Sequence, residues 1–413
     1  MFPKKFDISF ILTVCVFHIF LLSGCATNNT RLSTGVGPSL SSSYSKPKEI
    51  NLVESRPKLD VIIPVFDPGL PEDPDDYEDI WPEIRRAEAN RFAYKLKEKL
   101  DETGHFGSVR VTPDGTATGD LYILGQIKES NGEEVAIKIE VIDISGRKWL
   151  DESFEHEVTD TFHKDYRNKG KDSYDPLFED VATEIAEELN DHESKELEDL
   201  HYLSDIRFGA SFSESTFMRH IEVDGGQFNM VSRPNDQDPM FRRVKAIRVR
   251  DQLFIDGLQN NYAAFSSKMN DSYLMWQEQS LLESKAKREA NMKAAAQAVG
   301  GAALIGLGIL AAVAGGSSNS IAAQTAGTAG LLVGGIGGAA LIAQGFRSSE
   351  EANVHRDTLN ELGRSVDMEM APKVIAFNKA SVELTGNARE QFMQWRNFLQ
   401  KIYSEEETPD VQL

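Results

Sequence analysis

The part of the sequence that decides the fold is residues 135–146, which read VAIKIEVIDISG. Apolar and charged side chains alternate along it, as in a strand with one buried face. The apolar positions are Val135, Ile137, Ile139 and Val141, and the charged positions between them are Lys138 and Glu140. Ser145 and Gly146 then favour a turn, and residues 149–158 predict a second strand. An antiparallel hairpin inside a larger sheet is therefore expected here.

Strands and helices are predicted on both sides of this hairpin. Upstream, the pattern predicts a helix and three strands, the helix at 83–102 and the strands at 59–66, 106–111 and 121–127. Gly104 stands where the C-cap of that helix is expected. Downstream, Asp175-Pro176 favours the start of a second helix. The order of these elements predicts a compact α/β domain over residues 58–200.

Three stretches of this region resemble a known periplasmic domain. They are residues 87–109 ending in FGSV, residues 120–125 (DLYILG) and residues 141–146 (VIDISG). A helix leading into phe-x-x-val, a leu-x-gly strand and a val-x-asp-x-x-gly hairpin are similar to the domain shared by the curli-secretion channel lipoprotein and lipoprotein activators of penicillin-binding proteins. The resemblance covers about a third of the chain. It implies a small α/β sandwich, in a family that includes channels, enzyme activators and adaptors.

The N-terminus has the order of a secretory signal. Lys4 and Lys5 precede an apolar run over residues 8–22, which ends in LSGC at residues 22–25. This ending resembles the bacterial lipobox, which implies removal of residues 1–24 and acylation of Cys25. Several acyl chains hold a protein firmly to a membrane lipid surface. Ala26 follows the cysteine, and under enterobacterial-type sorting this favours the outer membrane, with the bulk of the chain in the periplasm.

Composition excludes several classes of function. The net charge of -21 at pH 7 argues against a nucleic-acid partner. Cysteine occurs only at Cys15 and Cys25, so the mature chain would hold no thiol for a disulfide, a zinc site or nucleophilic catalysis. No cofactor is predicted. Residues 25–57 are rich in small polar residues and predict a flexible tether.

A segment without charge lies between Lys293 and Arg347. Its two apolar halves, residues 294–314 and 321–346, flank a GGSSNS turn, and each is long enough to cross a bilayer as a helix. Small residues recur at every fourth position and let a second helix approach closely. They are Ala302 and Gly306 in the first half, and Gly330, Gly334 and Gly338 in the second.

The interpretation of residues 294–346 as a glycine-rich apolar hairpin leaves its surroundings open. The three alternatives are insertion of this segment into a bilayer, packing inside a soluble oligomer, and a disordered loop. Outer-membrane proteins usually span as barrels, so a bilayer hairpin would either insert late or contact a different membrane from the lipid. An amphipathic helix at 251–293 and a helical return arm at 347–403, interrupted at Pro372, are predicted to support it.

The remaining regions complete an α+β architecture. Residues 201–250 predict an irregular, partly β connection with strands near 209–212 and 220–223, and residues 404–413 a disordered tail. A basic run in this connection suits anion contact with lipid phosphates or peptidoglycan, or pairing with the protein's own acidic helices. It consists of Arg242, Arg243, Lys245, Arg248 and Arg250.

No pattern of catalytic or metal-binding residues rises above background. The sequence lacks paired histidines at metal-ligand spacing, a Gly-x-Ser-x-Gly elbow and a phosphate-binding loop. The acidic loop at residues 72–79 suits either calcium or solvent, and it lacks the glycine and spacing of a calcium-binding hand. No metal site and no enzymatic activity are therefore predicted.

Two functions remain. The first is an oligomeric structural, assembly or secretion and transport component of the cell envelope, with membrane lipid, further copies of the chain and an unidentified envelope protein as partners. The alternative is a lipoprotein regulator that binds and activates a periplasmic cell-wall enzyme. A hydrolase is a third, weaker interpretation.

Overall fold

The computed structural model of the chain describes residues 56–73, 80–314, 350–377 and 380–405, with only the backbone at residues 287, 290–291, 293–314, 350–353 and 377. Several predicted features lie outside these residues. They are the signal segment, the tether up to residue 55 with Cys25, most of the acidic loop, the GGSSNS turn, the second apolar half with Gly330, Gly334 and Gly338, and the tail from residue 406.

A five-stranded mixed sheet forms the centre of the fold. Its strands are β1 (Val61–Pro64), β2 (Val109–Thr112), β3 (Leu121–Ser130), β4 (Glu134–Asp143) and β5 (Lys148–Glu157). The order across the sheet is β2-β1-β3-β4-β5. β1 is parallel to β2 and β3, and the other pairs are antiparallel. The mixed sheet and the helices around it confirm the predicted α+β class.

Two helices cover one face of the sheet. They are α1 (Pro82–Thr103) and α2 (Asp175–Glu188), and Phe92 meets Phe178 edge-to-face between them with ring centroids 5.1 Å apart. The apolar positions that alternate along β4 are all fully buried. α1 ends at Gly104, whose φ of 69° is easily adopted only by glycine. The local patterns in this region therefore predicted the correct elements.

The prediction for residues 201–250 is largely wrong. Helix α3 (Ser194–Ala210) covers the first half of the predicted strand at 209–212 and the residues before it, and the short helix α4 (Glu214–Phe217) follows. One hairpin, β6 (Ile221–Asp224) with β7 (Gln227–Met230), matches the predicted strand near 220–223. Leu197, Leu200 and Leu203 recur at helical spacing and are buried, so apolar packing stabilises the helix here.

The long helix α5 runs without a break from Pro239 to Ala314, 76 residues or about 114 Å. The predicted start at residue 251 is wrong. Asp238 Oδ1 accepts the backbone N–H groups of Met240 and Phe241, and Pro239 occupies the first helical position. This is a regular N-cap arrangement, and the Asp-Pro pair is visible in the sequence.

The predicted all-helical return arm at 347–403 is also wrong in its middle. Helix α6 (Glu350–Leu362) is followed by a hairpin of β8 (Lys373–Phe377) and β9 (Ala380–Leu384), and then by α7 (Ala388–Glu405). The helix stops before Gly363, where a Cβ atom would lie 1.8 Å from the carbonyl oxygen of Glu83. Only glycine fits this approach between backbones.

The elements after residue 200 share one core with the sheet. Buried apolar residues run from Leu59 to Ile402 and include Val244, Ile255 and Leu258 of α5. Phe254 of α5 stacks on Trp395 of α7 with ring centroids 4.9 Å apart. Residues 58–200 therefore depend on the later helices to cover their apolar surface.

Candidate functional site

The candidate site is the interface between α5 and the α/β body, which fixes the direction of the long helix. At the start of β1, Gln252 Nε2 donates to Asp60 Oδ2 at 3.3 Å. Farther along, the Gln259 amide bonds to both the N–H and the C=O of Val111, at 2.9 and 2.8 Å. α5 thus runs alongside β2 from the first residues of the parallel strands, and the Gln259 side chain covers the free edge of β2.

The first part of this interface contains a buried carboxylate. Asp120, fully buried before β3, accepts His201 Nδ1 at 2.7 Å and the Asp60 N–H at 2.8 Å on one oxygen. Its other oxygen accepts Ser204 Oγ at 2.6 Å. Burial acts to raise the pKa of Asp120, but the bond from His201 and the charge of Arg248, 3.9 Å away, lower it overall. These bonds tie α3 and α5 to the sheet.

The cluster of Asp120, His201 and Ser204 is not arranged for nucleophilic catalysis. Ser204 donates to the carboxylate of Asp120, which also binds His201, so serine and histidine share a partner. A serine nucleophile instead needs a direct hydrogen bond to its base. The arrangement is that of a structural clamp. No local sequence signal predicted it, because Asp120 and Ser204 are 84 positions apart.

Substituting Asp120→Asn is expected to lower the pKa of His201. The hydrogen bond to the Asp120 carboxylate raises that pKa above 6.5, so protonated His201 stabilises the fold. This stabilisation is present below pH 6.5 and is lost as the pH rises through the raised pKa. Titration by NMR would measure the change, with His105 at the end of α1 as the unaffected control. An unchanged His201 titration in the variant would contradict the assignment.

The second part of the interface contains another buried carboxyl group. Glu88 of α1 is fully buried, and its Oε1 accepts Ser130 Oγ at 2.5 Å and the hydroxyl of Tyr273 on α5 at 2.7 Å. Arg85 Nε lies 3.6 Å from Oε2. Burial raises the pKa of Glu88 from 4.5 to about 7, against the opposing effect of Arg85. Tyr273 therefore joins α5 by a direct hydrogen bond to the titratable carboxyl group of Glu88 in the α/β body.

A buried ion pair adjoins Glu88. Arg91 Nη2 and Asp172 Oδ2 are 2.7 Å apart, with both side chains almost fully buried. Arg91 also donates to the Ser266 carbonyl oxygen at 3.2 Å and to Asn270 Oδ1 at 3.1 Å. Gln277 Nε2 donates to the second oxygen of Asp172 at 2.7 Å. Both members of the pair thus bind α5.

Hydrogen bonding is incomplete beside these two groups. Among the described residues, several buried polar atoms of this part of the interface have no hydrogen-bond partner. They are Glu88 Oε2, Ser173 Oγ, Trp276 Nε1, Ser280 Oγ and Glu283 Oε2. An unsatisfied buried group costs roughly 1–3 kcal/mol. These unpaired atoms therefore reduce the stability that the hydrogen bonds of the second part of the α5 interface provide.

The basic run from Arg242 to Arg250 lies on α5, and its members differ in surroundings. Arg248 is buried and bonds to Asp205, and Lys245 lies 3.3 Å from Asp236. Arg243 covers the ring of Tyr403 at 4.2 Å. Arg250 donates to the Ala246 carbonyl oxygen at 3.1 Å, and Arg242 is exposed. Arg248 and Lys245 are therefore paired with carboxylates of the protein itself, as one of the two interpretations of the basic run expects.

Other predicted site residues are described in part or not at all. Ala302 and Gly306 lie one helical turn apart on α5, whose side chains are not described there. Cys25, Gly330, Gly334 and Gly338 are outside the described residues. No helix, as far as its residues are described with side chains, is long and apolar enough to cross a membrane. The same residues hold no group of three or more side chains suited to a metal ion.

No protein family model matches the chain, and no curated protein and no solved structure is significantly similar to it. The resemblance to the periplasmic lipoprotein domain therefore stays a prediction from its three sequence stretches.

Proposed function

We propose that the chain is a non-enzymatic outer-membrane lipoprotein, anchored through Cys25, that acts as an oligomeric structural or assembly component of the envelope. The observation that supports this best is α5. It is fixed to the body as far as Arg288, which bonds to Glu133. From there to Ala314 it extends by about 39 Å. A rigid arm of this length suits contact with other molecules.

The direction of α6 supports a helical hairpin with a glycine- and alanine-rich tip. Ser272 lies 2.9 Å from His355 Nδ1, and Lys268 Nζ lies 3.1 Å from Glu361 Oε1. These pairs make α6 antiparallel to α5, so the chain reverses between Ala314 and Glu350. The midpoint of each pair falls at about residue 314. This is next to the GGSSNS turn at residues 315–320 that the sequence predicts.

The repeated small residues favour association of the hairpin with copies of itself. In the second apolar half Gly330, Gly334 and Gly338 fall on one face if it is helical, so a neighbouring backbone approaches closely. A ring of such hairpins suits a secretion or transport complex. Its transported substrate and its envelope partner are not specified by the sequence.

Gly334→Leu is expected to dissociate the oligomer, because the larger side chain separates the packed backbones. Gly335→Leu is the matched control, since it adds the same side chain about 100° away on the helix. Sedimentation of the detergent-extracted acylated protein would measure the mass. We expect the control to keep the mass of the wild type and Gly334→Leu to lose it. A monomeric wild type, or equal behaviour of both variants, would refute association through the glycine face.

A further inference from the structure

The connection between β5 and α2 concentrates positive charge in an acidic protein. Residues 161–171 of this connection read TFHKDYRNKGK, in a chain whose net charge is -21. We call these residues the basic loop. It contains one carboxylate, Asp165, and four cations, which are Lys164, Arg167, Lys169 and Lys171.

The basic loop is held in a defined conformation by contacts with the body. Phe162 is buried, so the first residues of the loop are anchored in the core. Asn168 is buried as well, and its Nδ2 donates to the carbonyl oxygen of Phe162 at 3.0 Å. Two short 3-10 helices, at Phe162–Lys164 and Tyr166–Asn168, complete the loop. The exposed side chains of the loop are therefore presented on a fixed backbone.

The charges of the basic loop are neutralised only in part. The guanidinium of Arg167 binds both carboxylate oxygens of Asp165, at 3.0 and 2.9 Å. The other three cations are exposed and, in the part of the chain that the structure describes, take part in no ion pair. They are Lys164, Lys169 and Lys171. Three positive charges therefore remain without a carboxylate partner.

The nearby carboxylates do not pair with these lysines. Asp160, just before the basic loop, lies 2.7 Å from Lys285 Nζ on α5. Glu278 of α5 is close enough to His163 to influence the charge of its ring. The three lysines therefore stay available for an anion outside the chain.

An aromatic side chain lies among these cations. Tyr166 is 86% exposed, more than any other large apolar residue that the structure describes as exposed. A single exposed apolar residue is common on protein surfaces, so the ring alone indicates nothing. A tyrosine among lysines, however, suits the surface of a membrane, where the ring lies at the level of the headgroups and the cations meet anionic lipid.

We infer that the basic loop binds the anionic headgroups of a lipid bilayer, with Tyr166 at headgroup level and its three unpaired lysines against lipid phosphates. Lipid is favoured over an acidic protein because lysine is depleted in protein interfaces, whereas an anionic bilayer attracts lysine as well as arginine. The chain as a whole is repelled by such a bilayer. The loop therefore determines which side of the body faces the membrane. This inference requires neither the lipid on Cys25 nor the oligomer.

The experiment places a photoreactive side chain at position 166 of the full-length chain. Tyr166→p-benzoyl-phenylalanine is illuminated with excess vesicles of phosphatidylethanolamine and phosphatidylglycerol, and its adducts are identified by mass spectrometry. We expect lipid adducts that are lost in vesicles of neutral phosphatidylcholine and at an ionic strength of about 1 M, where the Debye length is roughly 3 Å. Leu253→p-benzoyl-phenylalanine, at an exposed position of α5, is the control and should give far fewer.

Two triple variants of the photoreactive chain isolate the effect of charge. Lys164→Gln with Lys169→Gln and Lys171→Gln should reduce lipid adducts at least tenfold, because each lysine near an anionic surface changes binding roughly fivefold. The matched control makes the same charge change at three exposed lysines elsewhere and should have little effect. It consists of Lys58→Gln, Lys128→Gln and Lys195→Gln. Because all six lysines are exposed, we expect equal urea midpoints for the two variants.

Adducts with protein in place of lipid would overturn the inference and assign the basic loop to a protein partner. The absence of adducts would also overturn it. So would equal labelling of neutral vesicles, equal losses in the two triple variants, or equal labelling from position 253. The oligomer is tested separately through Gly334→Leu, so either proposal can fail without the other.

Discussion

Replacing Glu88 by glutamine is expected to remove roughly 2–3 kcal/mol of the pH dependence of the free energy of unfolding between pH 5 and pH 8. Glu88 is fully buried between α1 and α5, and burial raises its pKa from 4.5 to about 7. The groups facing it are Arg85 on its own helix, Ser130 at the end of β3, Tyr174 before α2, Tyr273 on α5 and the more distant Asp172. Arg85 is the only cation among them, and it does not offset the burial.

The sign follows from the direction of the shift. Because the folded pKa lies above the unfolded value, folding favours protonated Glu88. This stabilisation is fully present below pH 4.5 and is lost as the pH rises through about 7. Between pH 5 and pH 8 the wild type should lose roughly 2–3 kcal/mol through this group. Glutamine does not ionise, so the variant lacks this loss.

Urea denaturation at pH 5 and pH 8 would measure the difference. Glu134→Gln at the exposed start of β4 is the matched control and should keep the wild-type pH dependence. Glu283, whose pKa burial also raises to about 7, and His201, whose pKa is raised, contribute changes of the same sign that remain in both variants. If Glu88→Gln loses as much stability between the two pH values as the wild type does, Glu88 is ionised in the folded protein and the argument fails.

Local periodicity explains why the α/β part could be predicted. The alternation in β4 and the helical stripe of α1 each encode one buried face within about a dozen residues. Gly104 and the Asp175-Pro176 pair are also local signals. The buried polar contacts are different, since Glu88 meets Tyr273 across 185 positions. A glutamate within a helical pattern gives no sign that it will be buried.

Two of the errors after residue 200 have causes that the sequence shows. The start of α5 was missed although Asp238-Pro239 is a local signal, because the basic residues after it obscured the apolar spacing of Phe241, Val244 and Ile247. The β8–β9 hairpin was missed because Leu359, Leu362, Val366 and Met370 continue a helical spacing past the end of α6. Contact of Gly363 with Glu83, 280 positions away, ends that helix instead.

Gly132→Ala is expected to destabilise the protein strongly by forcing α5 away from the β3–β4 turn. Gly132 has a φ of +86°, and an added Cβ would lie 2.4 Å from Ser280 Cβ and 2.8 Å from the backbone nitrogen of Leu281. The left-handed backbone costs alanine about 1–2 kcal/mol. The overlap with the helix adds roughly 1–3 kcal/mol, because backbone atoms of α5 cannot move aside as a flexible side chain would.

Gly170→Ala separates these two contributions. Gly170 has a φ of +78° with no atom within 4 Å of an added Cβ, so this variant has the backbone strain without the overlap. Urea denaturation should show Gly132→Ala to be less stable than Gly170→Ala by roughly 1–3 kcal/mol. Amide hydrogen exchange over residues 273–288 should rise only in Gly132→Ala, since that segment lies against the turn. Equal stability of the two variants would mean that α5 does not approach the turn this closely, and the placement of α5 against the β3–β4 turn would then be in error.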